Sequence, residues 1–193
     1  MSGSLRIMAY DATERSPVGW SWAIGAKVFG PWFDAVIPAT SWPDLLERCV
    51  SIAVQRDQSI RELQIWGHGR PGEPLMRGAP LVPRHHAHLG ALQAFARVLA
   101  RPALVWFRMC GVFCGKPGQE YGEALADLLD CDVAAHTYVI GFPWHSGLHT
   151  VHPRKEATWS IHEGRGVDGH PLPSGRCEPN TQLFCRMSYP PEW

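Results

Sequence analysis

Two residues end apolar runs in a way that chemistry can use. His68 follows "ELQIWG" and precedes Gly69, and Cys110 follows "ALVWFRM" and precedes Gly111. An imidazole takes up and releases a proton near neutral pH. A thiol is a strong nucleophile once that proton is gone. Brought together, the pair would act as a Cys–His dyad, either by base activation of the thiol or as a resting thiolate–imidazolium pair. The glycines have physical uses. Gly69 lets the backbone approach a substrate carbonyl and offer its N–H, which with the N–H of Cys110 would form an oxyanion hole. Gly67 lets the chain leave the strand sharply, and Gly111 allows a tight turn after the thiol.

Positioning such a pair needs two strand ends side by side, and the surrounding pattern supplies them. "LRIMAY" (5–10), closed by Asp11, reads as a first strand. "SWPDLLERCVSIAVQ" (41–55) is a helix with Ser41 as cap, Pro43 in the first turn and Asp44 three residues after the cap. "ELQIWG" (62–67) is a strand, 88–101 a helix, and "ALVWFRMC" (103–110) a strand apolar enough for a centre buried on both faces. Residues 119–130 form a helix and 131–141 another strand. Strand and helix alternate from 60 to 141, which implies right-handed crossovers and a parallel sheet. The stretch 19–38, broken by glycine and proline, reads as a hairpin or extended segment. In open α/β sheets ligands sit beyond the carboxyl ends of the strands, where His68 and Cys110 both fall.

Composition narrows the function classes. A chain of 193 residues with 45% apolar content suits one domain, with a core over 5–141 and an irregular stretch over 142–193 rich in proline and glycine. Eighteen basic and eighteen acidic residues cancel, so nothing in the balance favours nucleic acid as a partner. No apolar run reaches the roughly 18–20 residues of a membrane helix, and "MSGSLRIMAY" lacks the pattern of a signal peptide. The expectation is a cytoplasmic protein with no membrane partner and with its six cysteines as free thiols.

"LQIWGHG" and, about forty residues on, "ALVWFRMCG" resemble the paired motifs of caspase-like cysteine peptidases, the group of caspases, legumain, gingipains and separase. The run "GQEYGEALADLLDCDVAAHTYVIG" is similar to that of bacterial caspase-like domains. The resemblance spans roughly residues 60–141. It implies an α/β, caspase-like three-layer sandwich with a mostly parallel central sheet and helices on both faces. It also implies a cysteine endopeptidase that forms a thioester acyl-enzyme, with His68 and Cys110 catalytic, Gly69 and Cys110 as oxyanion donors, a peptide or protein substrate, and no cofactor. "GVFCG" follows Cys110 where caspases have Arg-Gly, so specificity for aspartate does not carry over. By analogy with segments that wall a substrate groove, Trp159, Ser160 and Glu163 are binding candidates. Asp11, at the same sheet edge, would favour Arg or Lys before the scissile bond or else act as a turn-former or cap.

Other readings compete. "HGRPG" looks like the oxyanion loop of an α/β-hydrolase esterase, but neither Cys110 nor Cys114 sits in the required Gly-x-nucleophile-x-Gly elbow. His85, His86 and His88 cluster in a loop; His145 and His149 have the four-residue spacing of a helical zinc pair, but "FPWHSG" reads as a loop and no acidic partner follows the HExxH pattern; and His170, Cys177 and Cys185 match no common zinc module, so no metal is expected. His136 reads as a core histidine and Cys114 as a loop residue. A caspase-like scaffold that binds peptides without cutting them would leave the same pattern. Oligomeric state is open.

Overall fold

The computed structural model describes residues 3–189. In chain order the elements are β1 (Ser4–Asp11), α1 (Pro17–Phe29), a 3₁₀ turn (Gly30–Trp32), β2 (Ala35–Ala39), α2 (Trp42–Arg56) and β3 (Ser59–Trp66). Three short strands follow, β4 (His68–Arg70), β5 (Glu73–Met76) and β6 (Ala79–Pro80). Then come α3 (His86–Val98), β7 (Leu99–Arg108), α4 (Gly115–Leu129), β8 (Asp132–His136), β9 (Trp144–His145), β10 (Leu148–Val151) and β11 (Gln182–Leu183). The six-stranded sheet has the order β2-β1-β3-β7-β8-β10. Its first five strands are parallel, and β10 runs antiparallel to β8 at the edge. The protein is therefore a mixed α/β protein with a mostly parallel central sheet.

Alternation along the strands builds two cores. Leu63, Ile65, Val105 and Phe107 face Leu45 of α2, Phe95 of α3 and Leu125 of α4. Fully burying one such side chain stabilises the fold by roughly 1.5–3 kcal/mol. On the other face Met8 and Trp66 meet Ala26 and Phe29 of α1 and Met187 from the C-terminal stretch. Helices thus lie on both faces, three on one and one on the other.

The second face also carries a polar ladder. Arg6 pairs with Glu62 at 2.6 Å, and Gln64 donates to Glu62 at 2.6 Å and to the Met187 carbonyl at 2.9 Å. Arg108, 4% exposed, donates to the carbonyls of Arg186 (2.6 Å) and Phe184 (2.5 Å) and lies between the rings of Trp66 and Trp106. These bonds tie the 184–187 stretch to the sheet, and burial lowers the Arg108 pKa to about 9.

The α2 start follows its sequence signals, with one change of partner. Ser41 Oγ accepts the Asp44 N–H at 3.2 Å, while the Asp44 carboxylate reaches back to the N–H of Thr40 at 2.8 Å rather than to that of Ser41.

The stretch 19–38 corrects the hairpin expectation: most of it is α1, followed by β2. Gly19 and Gly25 are close-approach positions inside the helix, while Gly30 does end it. A Cβ on Gly25 would come within 2.6 Å of the Trp66 ring, and one on Gly19 within 2.3 Å of the Glu14 carbonyl oxygen. The outward face is also apolar, with Trp20, Ile24 and Val28 exposed at 64%, 62% and 59%, so no amphipathic period stands out.

Several boundaries move as well. The helix expected over 88–101 ends at Val98, and β7 starts at Leu99; the last helix of the alternation starts at Gly115, and β8 stops at His136. The sheet continues past 142 through β10. No helix among the described residues is long and apolar enough to cross a membrane.

Candidate active site

The carboxyl ends of β3 and β7, hydrogen-bonded neighbours, open into one cavity of about 540 Å³ whose lining includes both His68 and Cys110. α1 supplies one wall, and residues 139–142 after β8 supply another.

His68 begins β4, and its side chain is 47% exposed. Its Nε2 lies 3.2 Å from Glu14 Oε2, and the Trp22 ring meets it edge-on at 4.9 Å between centroids. Glu14 sits in the loop from β1 to α1, where its other oxygen accepts the Ser16 N–H at 2.8 Å. That bond and the Ser16 side chain hold the Glu14 carboxyl below the usual range, and His68 adds to the effect. A carboxylate only accepts, so Nε2 carries a proton in this pair.

Cys110 lies in the turn between β7 and α4. The turn is pinned by the Gly111 N–H to the Tyr138 carbonyl (2.8 Å) and the Phe113 N–H to the His136 carbonyl (3.0 Å). Gly111 has φ +59°, the left-handed region that the sharp turn requires. The half-buried thiol donates to the Ile140 carbonyl at 3.6 Å. Burial pushes its pKa up, against a smaller lowering by that bond. The resting group is therefore a neutral thiol. The two side chains share the cavity but each has its own partner, His68 with Glu14 and Cys110 with Ile140, and no hydrogen bond joins them.

Gly69 is where the two loops meet. A Cβ there would lie 2.7 Å from the Cys110 carbonyl oxygen and 2.6 Å from Val112 Cγ2. Gly67 is similarly tight, with a Cβ falling 2.9 Å from Met109 Cε.

Gly69 and the remaining sequence candidates lie outside the cavity lining. Asp11 is buried and occupied: Oδ1 accepts the Thr13 N–H (2.9 Å) and hydroxyl (2.7 Å), and Oδ2 accepts the Arg77 N–H (2.8 Å). This is the turn-forming alternative. Trp159 is buried, stacked between Phe113 and His149 at 4.8 Å from each, and donates to the Phe113 carbonyl at 3.0 Å. Glu163 pairs with His149 at 2.6 Å and accepts from Thr137 at 3.0 Å. Ser160 is exposed and accepts the His162 N–H at 3.2 Å.

Among the described residues no three of His, Cys, Asp and Glu gather to hold a metal. His85 caps α3 by accepting the Ala87 N–H, and His88 accepts that of Val82, both at 3.3 Å. All six cysteines are free, and Cys114 is buried at the start of α4. His136 donates from Nδ1 to the Ser146 carbonyl at 3.1 Å, while its buried Nε2 has no partner.

Glu14 is a site residue that the sequence reasoning missed. Its signal is "ERSP" directly after the first strand, an acid ahead of a serine–proline helix start, which carries meaning only once α1 is seen as a helix. The cavity walls Trp22, Phe142 and Phe184 were missed for a related reason: they come from α1 and from the irregular C-terminal third.

No family model matches the chain, and neither a curated protein nor a solved structure matches it significantly. Fold and site together define a class and no more: an α/β protein with a thiol, an imidazole and a carboxylate at the carboxyl edge of its sheet.

Proposed function

We propose that the protein is a cysteine endopeptidase of caspase-like type acting through Cys110 and His68. One observation carries this reading: both side chains line a single cavity at the ends of adjacent parallel strands. The Glu14 carboxylate on His68 adds the third member that orients a base.

A peptide carbonyl enters beside Cys110. His68 Nδ1 takes the thiol proton as Sγ attacks the carbonyl carbon, and Glu14 stabilises the imidazolium that forms. The tetrahedral oxyanion receives the N–H groups of Cys110 and Gly69. His68 then protonates the leaving amine, and the C–N bond breaks to give a thioester on Cys110. In the second half His68 deprotonates a water, which attacks the thioester. The acid leaves and the thiol recovers its proton. No step calls for a cofactor.

The test is a peptide-library cleavage assay on the wild type, Cys110→Ala and His68→Ala. Both variants should lose activity by about three orders of magnitude or more. Cleavage unaffected by Cys110→Ala would remove the nucleophile from the proposal. A second reading, a peptide-binding domain that does not cut, draws support from the thiol's bond to Ile140 and its raised pKa. Binding without cleavage by folded wild type would favour it.

A further inference from the structure

We infer that the cavity beside Cys110 takes a bulky apolar or aromatic side chain, carried by the residue whose carbonyl the thiol attacks. The inference rests on the peptidase reading for the identity of that residue. Because Cys110 and His68 both line the cavity, the space begins at the reacting carbon. Its walls are Trp22 and Phe29 of α1, Trp66 at the end of β3, Ile140 and Phe142 after β8, and Phe184. At about 540 Å³ it falls within the usual range of ligand pockets, roughly 300–1,000 Å³. Phe142 and Phe184 meet edge to face at 4.9 Å between centroids and add aromatic surface to the lining.

Charge complementarity speaks against the other side-chain classes. No Asp or Glu lines the cavity, so a lysine or arginine would enter without a counter-charge. The one standing charge in the lining is Arg108, and it is withheld. Its Nη1 and Nη2 donate to the carbonyls of Arg186 and Phe184, and its flat faces lie against Trp66 and Trp106. Only Nε lacks a partner, and it is buried. An acidic side chain could reach only that recessed Nε unless it broke the bonds that hold the C-terminal stretch on the sheet. His145, also in the lining, is kept neutral by burial and by the Arg108 charge beside it. Apolar surface entering this space is released from water at no such cost.

The experiment uses fluorogenic tetrapeptides that differ only in the residue before the scissile bond: Phe, Leu, Ala, Asp or Lys. Wild type should cut the Phe and Leu peptides at least about tenfold faster in kcat/KM than the Ala peptide, with Asp and Lys slowest. Phe142→Ala, at an exposed position, should narrow the Phe-to-Ala ratio severalfold. A preference for Asp or Lys would overturn the inference while leaving the peptidase reading intact; the Asp result would assign Arg108 as the reader. The same peptides are titrated against Cys110→Ala by tryptophan fluorescence. If wild type cuts nothing but Cys110→Ala binds the Phe peptide preferentially, the peptidase reading fails and the cavity assignment stands. Equal or no binding across the set overturns the cavity assignment.

Discussion

Glu14 Oε2 lies 3.2 Å from His68 Nε2, although 54 residues separate them in the chain. β1 and β3 are neighbours in the sheet, so the loops leaving their carboxyl ends meet. On the proposed peptidase reading, the pairing leaves Nδ1 of His68 to face the thiol. Glu14→Gln should therefore lower kcat/KM by on the order of tenfold or more, mainly in kcat. Glu14→Asp should restore part of the rate. A kcat unchanged in Glu14→Gln would reduce Glu14 to a structural residue.

Cys110 should behave as a buried thiol rather than a standing thiolate. Burial raises its pKa, with only a smaller opposing contribution from the bond to Ile140. Alkylation by iodoacetamide, followed by mass spectrometry of the Cys110 peptide, should therefore rise only at pH values above the ordinary thiol value of about 8.5. A plateau of fast reaction extending below neutral pH would mean that a thiolate–imidazolium pair already exists without substrate.

The contact between the loops that carry His68 and Cys110 predicts a contrast between glycines. A Cβ on Gly69 would lie 2.7 Å from the Cys110 carbonyl oxygen, so Gly69→Ala must push one loop off the other. The expected cost is about 1–3 kcal/mol, with peptide cleavage falling further than stability alone accounts for. Gly90, inside α3, faces open space: a Cβ there would meet no atom within 4 Å. Gly90→Ala should therefore stabilise the fold by about 0.5–1 kcal/mol. Urea unfolding of the two variants checks both signs.

Periodicity made the parallel core legible. β1, β3 and β7 show as apolar runs, and α2 and α4 as stripes with readable starts or faces. α1 is hidden because Trp20, Ile24 and Val28 face outward, leaving no polar face to mark the helix. The small sheet β4–β6 leaves no period because its strands are two to four residues long. Its turns do carry marks, since Gly72 and Gly78 have φ of +74° and +73°. β10 exists through its pairing with β8, a long-range relation that a proline-rich neighbourhood conceals. The same distinction holds at the site. His68 and Cys110 announce themselves locally, as polar residues ending apolar strands. Glu14 and the aromatic walls depend on which elements are neighbours in space. Asp11 does lie at the expected edge, but a strand end does not reveal that its side chain turns inward to Thr13 and Arg77.

The buried histidines predict how stability depends on pH. Burial lowers the pKa of His136 to about 3, opposed by its bond to Ser146 and helped by the nearby Arg108 and His149 charges. Burial, then Arg108 and His136, lowers His145 to about 2. Their rings meet edge to face at 5.6 Å. In the unfolded chain both would titrate near the ordinary value of about 6.5. Below that pH the unfolded state binds protons that the native state refuses until far lower pH. Stability is therefore fully present above pH about 6.5 and falls as the pH drops towards the folded values, by up to about 1.4 kcal/mol per pH unit for each histidine. His136→Asn places an amide donor where Nδ1 stands, facing the Ser146 carbonyl, and removes one titrating group. Measured by urea unfolding at pH 7.5 and pH 5, the variant should lose less stability between the two conditions than wild type does, by about 1–2 kcal/mol. An equal loss in both proteins would mean that His136 is not excluded from protonation in the native state.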